Sequence, residues 1–215
     1  MGNIAVIDTE TNWSNELMSI GIVIADEESF APTSCLYYIV DNISLSGMFS
    51  DVLSIQDDYI YNNCICTSRR EYTLDECSMV RLMLRSELFS PKIKDRNLII
   101  QDIKSKLISA NVHEIFAYNA GFDRGILPEL NSFPWYDIMK LAAYKQHNYK
   151  IDSFMECCKT GRLKRSYGVE PMYRLLSGKS DYFEVHNALI DAFDELGIMK
   201  MLRKEADYFR DYCRI

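Results

Sequence analysis

Several features are absent or scarce in this sequence of 215 residues. No apolar run is long enough to form a transmembrane helix, and there is no internal repeat or low-complexity tract. The composition, with 48% hydrophobic and 26% charged residues, is close to that of an average soluble globular protein. We therefore expect one folded domain over residues 1–215, rather than a disordered or membrane-embedded chain.

Positive charge is in the minority, with 24 Lys and Arg against 31 Asp and Glu, which gives a net charge of −7. Proteins that hold duplex nucleic acid mainly through bulk electrostatics are usually basic. The charge balance therefore argues against a scaffold-type DNA-binding protein. It leaves a nuclease open, because metal ions compensate the charge of an acidic catalytic centre.

The sequence also lacks cysteine motifs for zinc binding or redox chemistry. Its seven cysteines include the pairs Cys64/Cys66 and Cys157/Cys158, which do not have the spacing of a zinc ribbon or a CxxC motif. The first residues do not show a charged n-region, an apolar h-region and a cleavage site in sequence, so we expect no signal peptide there. We therefore expect reduced thiols in a cytoplasmic protein.

Hydrophobic periodicity predicts an α/β fold, in which a three-stranded antiparallel meander precedes alternating helices and strands. The predicted strands are Asn3 to Asp8, Leu17 to Ala25, Ser34 to Val40, Glu114 to Tyr118 and Trp135 to Ile138. The predicted helices are Thr73 to Phe89, Asp95 to Ala110, Gly121 to Leu130, Asp152 to Lys159, Val169 to Leu176, and Asn187 to about Tyr208.

Asp8 and Glu10 follow the first predicted strand and are the first candidate site residues. Side chains two positions apart on a strand emerge on the same face, so the two carboxylates lie close together. They repel each other unless a cation lies between them. Oxygen ligands favour Mg²⁺ or Mn²⁺ over zinc. Taken alone, the pair could also be an exposed acidic strand end.

Asp123 is the second candidate. The strand that ends at Tyr118 is followed by a turn with Asn119 and Gly121, and Asp123 falls in the first turn of the next helix. Catalytic groups in α/β proteins gather where strands deliver the chain into such turns. The alternative role for Asp123 is to cap or complement the helix dipole.

His186 and Asp191 form the third candidate element. On a continuous helix a separation of five residues would place them roughly 140° apart, so they converge only if the helix begins after His186. Asn187 is a suitable cap for such a helix. Because the unperturbed pKa of histidine lies near neutrality, a loop His186 could deprotonate a water.

Together the three elements resemble the DEDDh exonucleases, which include proofreading 3′–5′ exonucleases, RNase T and oligoribonuclease. The match follows the chain in order, with Asp8 to Thr11, Tyr118 to Asp123 and His186 to Ala192 as the three motifs. The resemblance implies an RNase H-like fold that binds two divalent cations, Mg²⁺ or Mn²⁺. The implied ligands are Asp8, Glu10, Asp123 and Asp191, and the implied general base is His186.

The resemblance also implies a substrate. The expected reaction removes nucleoside 5′-monophosphates from the 3′ end of single-stranded DNA or RNA. In this family, residues beside and after the first motif contact the terminal nucleotides. The implied substrate contacts here are Thr9, Thr11 and Asn119, and either Leu17 or Met18 could wedge between bases.

Three features depart from the common family pattern or add to it. Tyr118 stands where many members carry His. The stretch 42–90 is longer than a compact member needs; it could shape substrate choice, form a homodimer contact or be an inert insertion. A basic cluster that includes Lys164 and Arg165 could guide a single-stranded end to the site, or could be a solvated surface loop.

Two alternatives to the general exonuclease hypothesis stay open. One is a ribonuclease that trims short RNA or tRNA 3′ ends. The other is a non-catalytic nucleic-acid-binding or protein-binding module on the same fold, against which the complete set of acids and His186 argues. The sequence does not decide between DNA and RNA, because contact with a 2′-hydroxyl depends on pocket shape. It identifies no protein partner.

Overall fold

A six-stranded mixed sheet organises the computed structural model, which describes residues 2–43, 91–184 and 186–215. The strands are β1 (Asn3–Thr11), β2 (Leu17–Asp26), β3 (Pro32–Val40), β4 (Lys92–Lys94), β5 (Val112–Ala117) and β6 (Trp135–Asp137). Their spatial order is β4-β3-β2-β1-β5-β6. The first three form the predicted antiparallel meander, and the others each run parallel to a neighbour. The predicted α/β fold is therefore confirmed.

Helices cover both faces of the sheet. They are α1 (Arg96–Ser109), α2 (Gly121–Ile126), α3 (Met139–Ala142), α4 (Val169–Ser177), α5 (Ala188–Leu202) and α6 (Ala206–Cys213), with a short 3₁₀ helix at Pro128–Leu130. None of these helices has the length and apolar character needed to cross a bilayer. The predicted helix from Thr73 to Phe89, and nearly all of the expected 42–90 insertion, lie outside the described residues.

Three predicted helices differ from the structure. The segment Asp152 to Lys159 is not helical, because Cys157 pairs with Leu163 in an antiparallel bridge. The helix predicted over Gly121 to Leu130 is split before Pro128, which disfavours helical conformation in the residue that precedes it. The last predicted helix ends at Leu202, because Arg203 adopts a left-handed conformation with φ 56°.

Side-chain alternation along β1 separates two apolar clusters. Ile4 and Val6 pack in the cluster that contains α4, α5 and α6, whereas Ala5 and Ile7 pack in the one that contains α1. Because the alternation has a period of two, the residues two and four positions after Val6 face α5. The end of β1 therefore points towards the helix that carries the third sequence motif.

Gly21 on β2 permits the close approach of α5 to the sheet. It is the register partner of Asp8 on β1. A Cβ atom added to Gly21 would lie 2.1 Å from the backbone carbonyl atoms of Ala188, the first residue of α5. The packing of this helix therefore requires a residue without a side chain at this position.

We predict that Gly21→Ala lowers the free energy of unfolding by about 3 kcal/mol, because overpacking against backbone cannot be relieved by a side-chain rotation. Urea unfolding of the purified variant measures the change. Gly125→Ala is the control, since an added Cβ meets no atom within 4 Å there. That helical substitution should be neutral or stabilising by up to about 1 kcal/mol. Wild-type stability of Gly21→Ala would contradict the packing.

Candidate functional site

The N-terminus of α5 turns His186 and Asp191 towards the end of β1. Asn187 caps the helix, since its side-chain oxygen accepts the N–H of Ile190 at 3.2 Å, and His186 precedes it with φ 55°. The helix thus begins after His186, as the spacing predicts. Ligand atoms of Glu10, His186 and Asp191 all lie within 4.8 Å of one another.

The second motif is tied to the first by Thr9. Asp123 lies in the first turn of α2 and is 3% exposed. Its Oδ1 accepts the backbone N–H of Thr9 at 3.1 Å and the Thr9 hydroxyl at 2.7 Å. These bonds hold the Asp123 carboxylate beside the strand segment between Asp8 and Glu10.

Asp137 holds the turn that leads to Asp123. This buried residue ends β6, and its Oδ1 accepts the backbone N–H groups of Asn119 at 2.9 Å and Met139 at 3.0 Å. Asn119 has a left-handed conformation with φ 61°. The turn is therefore positioned by a carboxylate from the neighbouring strand.

Burial, together with the crowding of acids, raises the pKa of each candidate carboxyl group. Burial is the largest cause for Asp8, Glu10, Asp123 and Asp191, and negative neighbours add to it. The pKa of Asp123 rises to about 7, although the Thr9 hydrogen bond opposes the rise. A divalent cation relieves this repulsion, and a set of oxygen ligands fits Mg²⁺ or Mn²⁺. Within the described residues, Asp191 Oδ1 is buried without a hydrogen-bond partner, which also fits a cation ligand.

Two acids that the sequence analysis misses also face this site. Glu184 is half-buried and adds negative charge next to Asp8, Glu10 and Asp191; its own pKa is raised to about 7, mainly by burial. Glu195 is 1% exposed and lies one turn after Asp191 on α5. Its i,i+4 spacing from Asp191 is a signal that sequence analysis could have used. For Glu184 the only signal is its position two residues before His186.

The suggested nucleotide contacts occupy different environments. Thr9 is buried, Thr11 is half-buried where a bulge ends β1, and Asn119 is exposed. Leu17 is 6% exposed and lines a surface cavity. The suggestion that Met18 contacts a base is wrong, because its side chain is completely buried in the apolar core.

Trp13 is an exposed aromatic residue that the sequence analysis overlooks. It follows the first motif directly, and 66% of its surface is exposed. Asn12 shapes the turn that carries it, because the Asn12 side-chain oxygen accepts the N–H groups of Ser14 and Glu16, each at 2.9 Å. An aromatic residue beside the first motif is the signal that could have identified it.

The segment before α4 carries Lys164 and Arg165 of the basic cluster, and Tyr118 contacts this segment. The Tyr118 hydroxyl donates a hydrogen bond to the carbonyl of Tyr167 at 2.6 Å, so this departure from the family pattern has a structural use. Lys164 and Arg165 are exposed. Arg165 lines a surface cavity of about 360 Å³ together with Phe154.

In the metal-free protein, we predict that stability falls as pH rises from about 4 to about 7. Asp123 and Glu184 have folded-state pKa values of about 7. Unfolded carboxyl groups titrate near pH 4, so within this window the folded chain binds more protons than the unfolded chain. The stabilisation that Asp123 and Glu184 contribute is therefore complete below about pH 4, and it is lost as pH rises through about 7.

Thermal denaturation in the presence of a chelator tests this pH dependence. Asp123→Asn should flatten the decline of the melting temperature between pH 5 and pH 7.5, whereas the exposed Asp211→Asn should not. Mn²⁺ added to the wild type at pH 7.5 should raise the melting temperature, because the ion binds only the folded chain. Parallel pH profiles for Asp123→Asn and wild type would contradict the assignment.

Comparison with solved structures identifies the fold. No family model matches the chain, and no curated protein matches it either. A full-length 3′-exonuclease is similar, with 15% identity and a TM-score of 0.51 over 94% of this chain and 81% of that one. The nuclease domain of 3′hExo, a DEDDh family member bound to rAMP, has 12% identity and a TM-score of 0.52 over 94% of this chain and 92% of that one.

A third similar structure is E. coli Exonuclease I in complex with a dA16 oligonucleotide. It has 12% identity and a TM-score of 0.53, and the match covers 98% of this chain but only 42% of Exonuclease I. Matches at such low sequence identity show similarity of the fold alone. The chain has the RNase H-like α/β fold of these exonucleases, as its motifs predict.

Proposed function

We propose that this protein is a metal-dependent 3′–5′ exonuclease. It hydrolyses phosphodiester bonds at the 3′ end of single-stranded DNA or RNA and releases nucleoside 5′-monophosphates. The observation that supports this most directly is the convergence of Glu10, His186 and Asp191, whose ligand atoms lie within 4.8 Å of one another. The buried Asp123, together with the charge of Asp8, adds to the same acidic centre.

The four carboxylates of the DEDDh pattern are the proposed ligands of two divalent cations, Mg²⁺ or Mn²⁺. When bound, such ions supply an activated water and stabilise charge on the departing 3′ oxygen. The protein contributes a rigid arrangement of oxygens, because Thr9 fixes the Asp123 carboxylate and Asn187 fixes the start of the helix that carries Asp191. The proposed ligands are Asp8, Glu10, Asp123 and Asp191.

His186 is the proposed general base. It lies in the loop before α5, half-buried, so its ring can reach a solvent water. The neighbouring Glu10 and Asp191 carboxylates favour the imidazolium that forms when the ring takes a proton. The same proximity would allow the ring to bind a cation; we assign it to proton transfer because the acids already supply enough oxygen ligands.

The surface around the site suits a single-stranded end. Trp13 presents an exposed ring beside the first motif, and stacking on an aromatic ring is tolerant of base identity. Lys164 and Arg165, in the segment before α4, are proposed to attract the phosphate backbone of the approaching nucleic-acid strand. Exonuclease I has been solved with dA16 and with dT13, which supports a single-stranded substrate for the shared fold.

A ribonuclease that trims RNA 3′ ends is the second candidate function. It is favoured by the nuclease domain of 3′hExo, which is bound to rAMP. Digestion of matched DNA and RNA oligonucleotides decides between the two sugars. A cytoplasmic location, a single domain over residues 1–215, and a homodimer contact formed by 42–90 stay predictions from the sequence.

We predict that Asp191→Asn lowers exonuclease activity by about 100-fold or more, because the variant loses a charged ligand of the cation site. A 5′-labelled single-stranded oligonucleotide should shorten to a ladder in Mg²⁺ or Mn²⁺, and a 3′-labelled one should release labelled mononucleotide at once. A chelator should stop both reactions. Asp211→Asn, on the exposed side of α6, is the matched control. Shortening by Asp191→Asn at the wild-type rate would refute the proposal.

Trp13→Ala should raise the KM for a single-stranded oligonucleotide about 10-fold, with a smaller effect on kcat, because stacking contributes mainly to binding. Trp13→Phe retains a ring and should recover most of the affinity. Tyr212→Ala removes an aromatic residue that is 51% exposed on α6 and serves as the control. Equal KM values for Trp13→Ala and Tyr212→Ala would exclude the stacking role.

A further inference from the structure

Glu195 is a buried acid that the DEDDh pattern does not include. It lies on α5 and is 1% exposed. Within the described part of the chain, its Oε2 is buried and has no hydrogen-bond partner. A buried carboxylate oxygen without a partner is costly, unless a proton or a bound cation compensates its charge.

The position of Glu195 directs it towards the cation site. Residues four apart on a helix share a face, so Glu195 and Asp191 both point from α5 towards β1. The negative charges of Asp8 and Asp123 act on the Glu195 carboxyl group, and so does the backbone N–H of Tyr118 after the end of β5. Glu195 therefore lies near Asp8 and Asp123, and Asp191 lies near Asp8 and within ligand distance of Glu10.

The acids around Glu195 offer it no compensation. Within the described residues, the charges that act most strongly on Glu195 are those of Asp8, Asp123 and Glu184, all of them carboxylates. Glu114, another buried glutamate, is instead paired with Arg210 at 2.8 Å. Buried negative charge concentrated in this way is the environment that a divalent cation stabilises.

We infer that Glu195 is a fifth carboxylate of the cation site and increases its affinity for divalent metal from the side of Asp8 and Asp123. The inference rests on the proposed function only in taking the DEDDh acids as a metal site. It has two opposite consequences. The carboxylate strengthens metal binding, and the same negative charge destabilises the metal-free protein.

Substitution by glutamine separates a metal-binding role from a purely structural one. Glu195→Gln keeps the shape of the side chain and removes its charge. We expect its Kd for Mn²⁺, measured by isothermal titration calorimetry at pH 7.5, to rise about 10-fold or more. Its melting temperature in chelator should rise relative to wild type, while the shift produced by saturating Mn²⁺ should shrink.

Glu114→Gln provides a matched control. Glu114 is also a buried glutamate, but it is bonded to Arg210. Its substitution should lower the metal-free melting temperature, because it breaks an ion pair, and should leave the Kd for Mn²⁺ unchanged. Only Glu195→Gln is therefore expected to weaken Mn²⁺ binding, and the two variants should change the metal-free melting temperature in opposite directions.

A Kd of Glu195→Gln within twofold of the wild-type value would overturn the inference. If that variant does not fold, Glu195→Met fills a similar volume without charge and is measured in the same way. If the wild type degrades no oligonucleotide, the exonuclease proposal is refuted. Weaker Mn²⁺ binding by Glu195→Gln would still support the role of Glu195 in that case. Cleavage by the wild type with equal Mn²⁺ binding by both forms would sink this inference alone.

Discussion

The close packing of Gly21 against Ala188 is the contact on which the candidate site depends. Gly21 lies opposite Asp8 in the β1/β2 register, and Ala188 is the first residue of α5. Residues from the first and third motifs are about 180 positions apart in the chain, yet this contact brings ligand atoms of Glu10, His186 and Asp191 within 4.8 Å of one another. A side chain at Gly21 would separate the helix from the strand and enlarge the site.

The site collects negative charge on three buried acids, Asp123, Asp191 and Glu195, and on half-buried acids beside them. Burial and mutual repulsion of the ionised acids oppose folding. The same two effects raise the pKa of Asp8, Asp123 and Asp191. Fixed hydrogen bonds, such as that from Thr9 to Asp123, and a well-packed sheet compensate the repulsion. The acids are therefore held in position before any ion binds, which is the condition for specific cation binding.

Sequence analysis predicted features that depend on near neighbours in the chain. The capping of α5 by Asn187 and the placement of Asp123 in the first turn of α2 are local properties. It was wrong where pairing with residues outside a segment decides the conformation. The segment from Asp152 to Lys159 follows a bridge between Cys157 and Leu163 instead of its own helical pattern.

The sequence by itself determined the mixed α/β fold, the order of the three motifs and the identity of their acids, because period-two and helical patterns and short spacings are local. Only the tertiary structure decided that Glu184 and Glu195 join these acids and that Met18 is buried in the core. It also decided that Trp13 is exposed beside them. These outcomes depend on how α5 packs across the sheet, and contacts between elements distant in the chain leave no fixed spacing in the sequence.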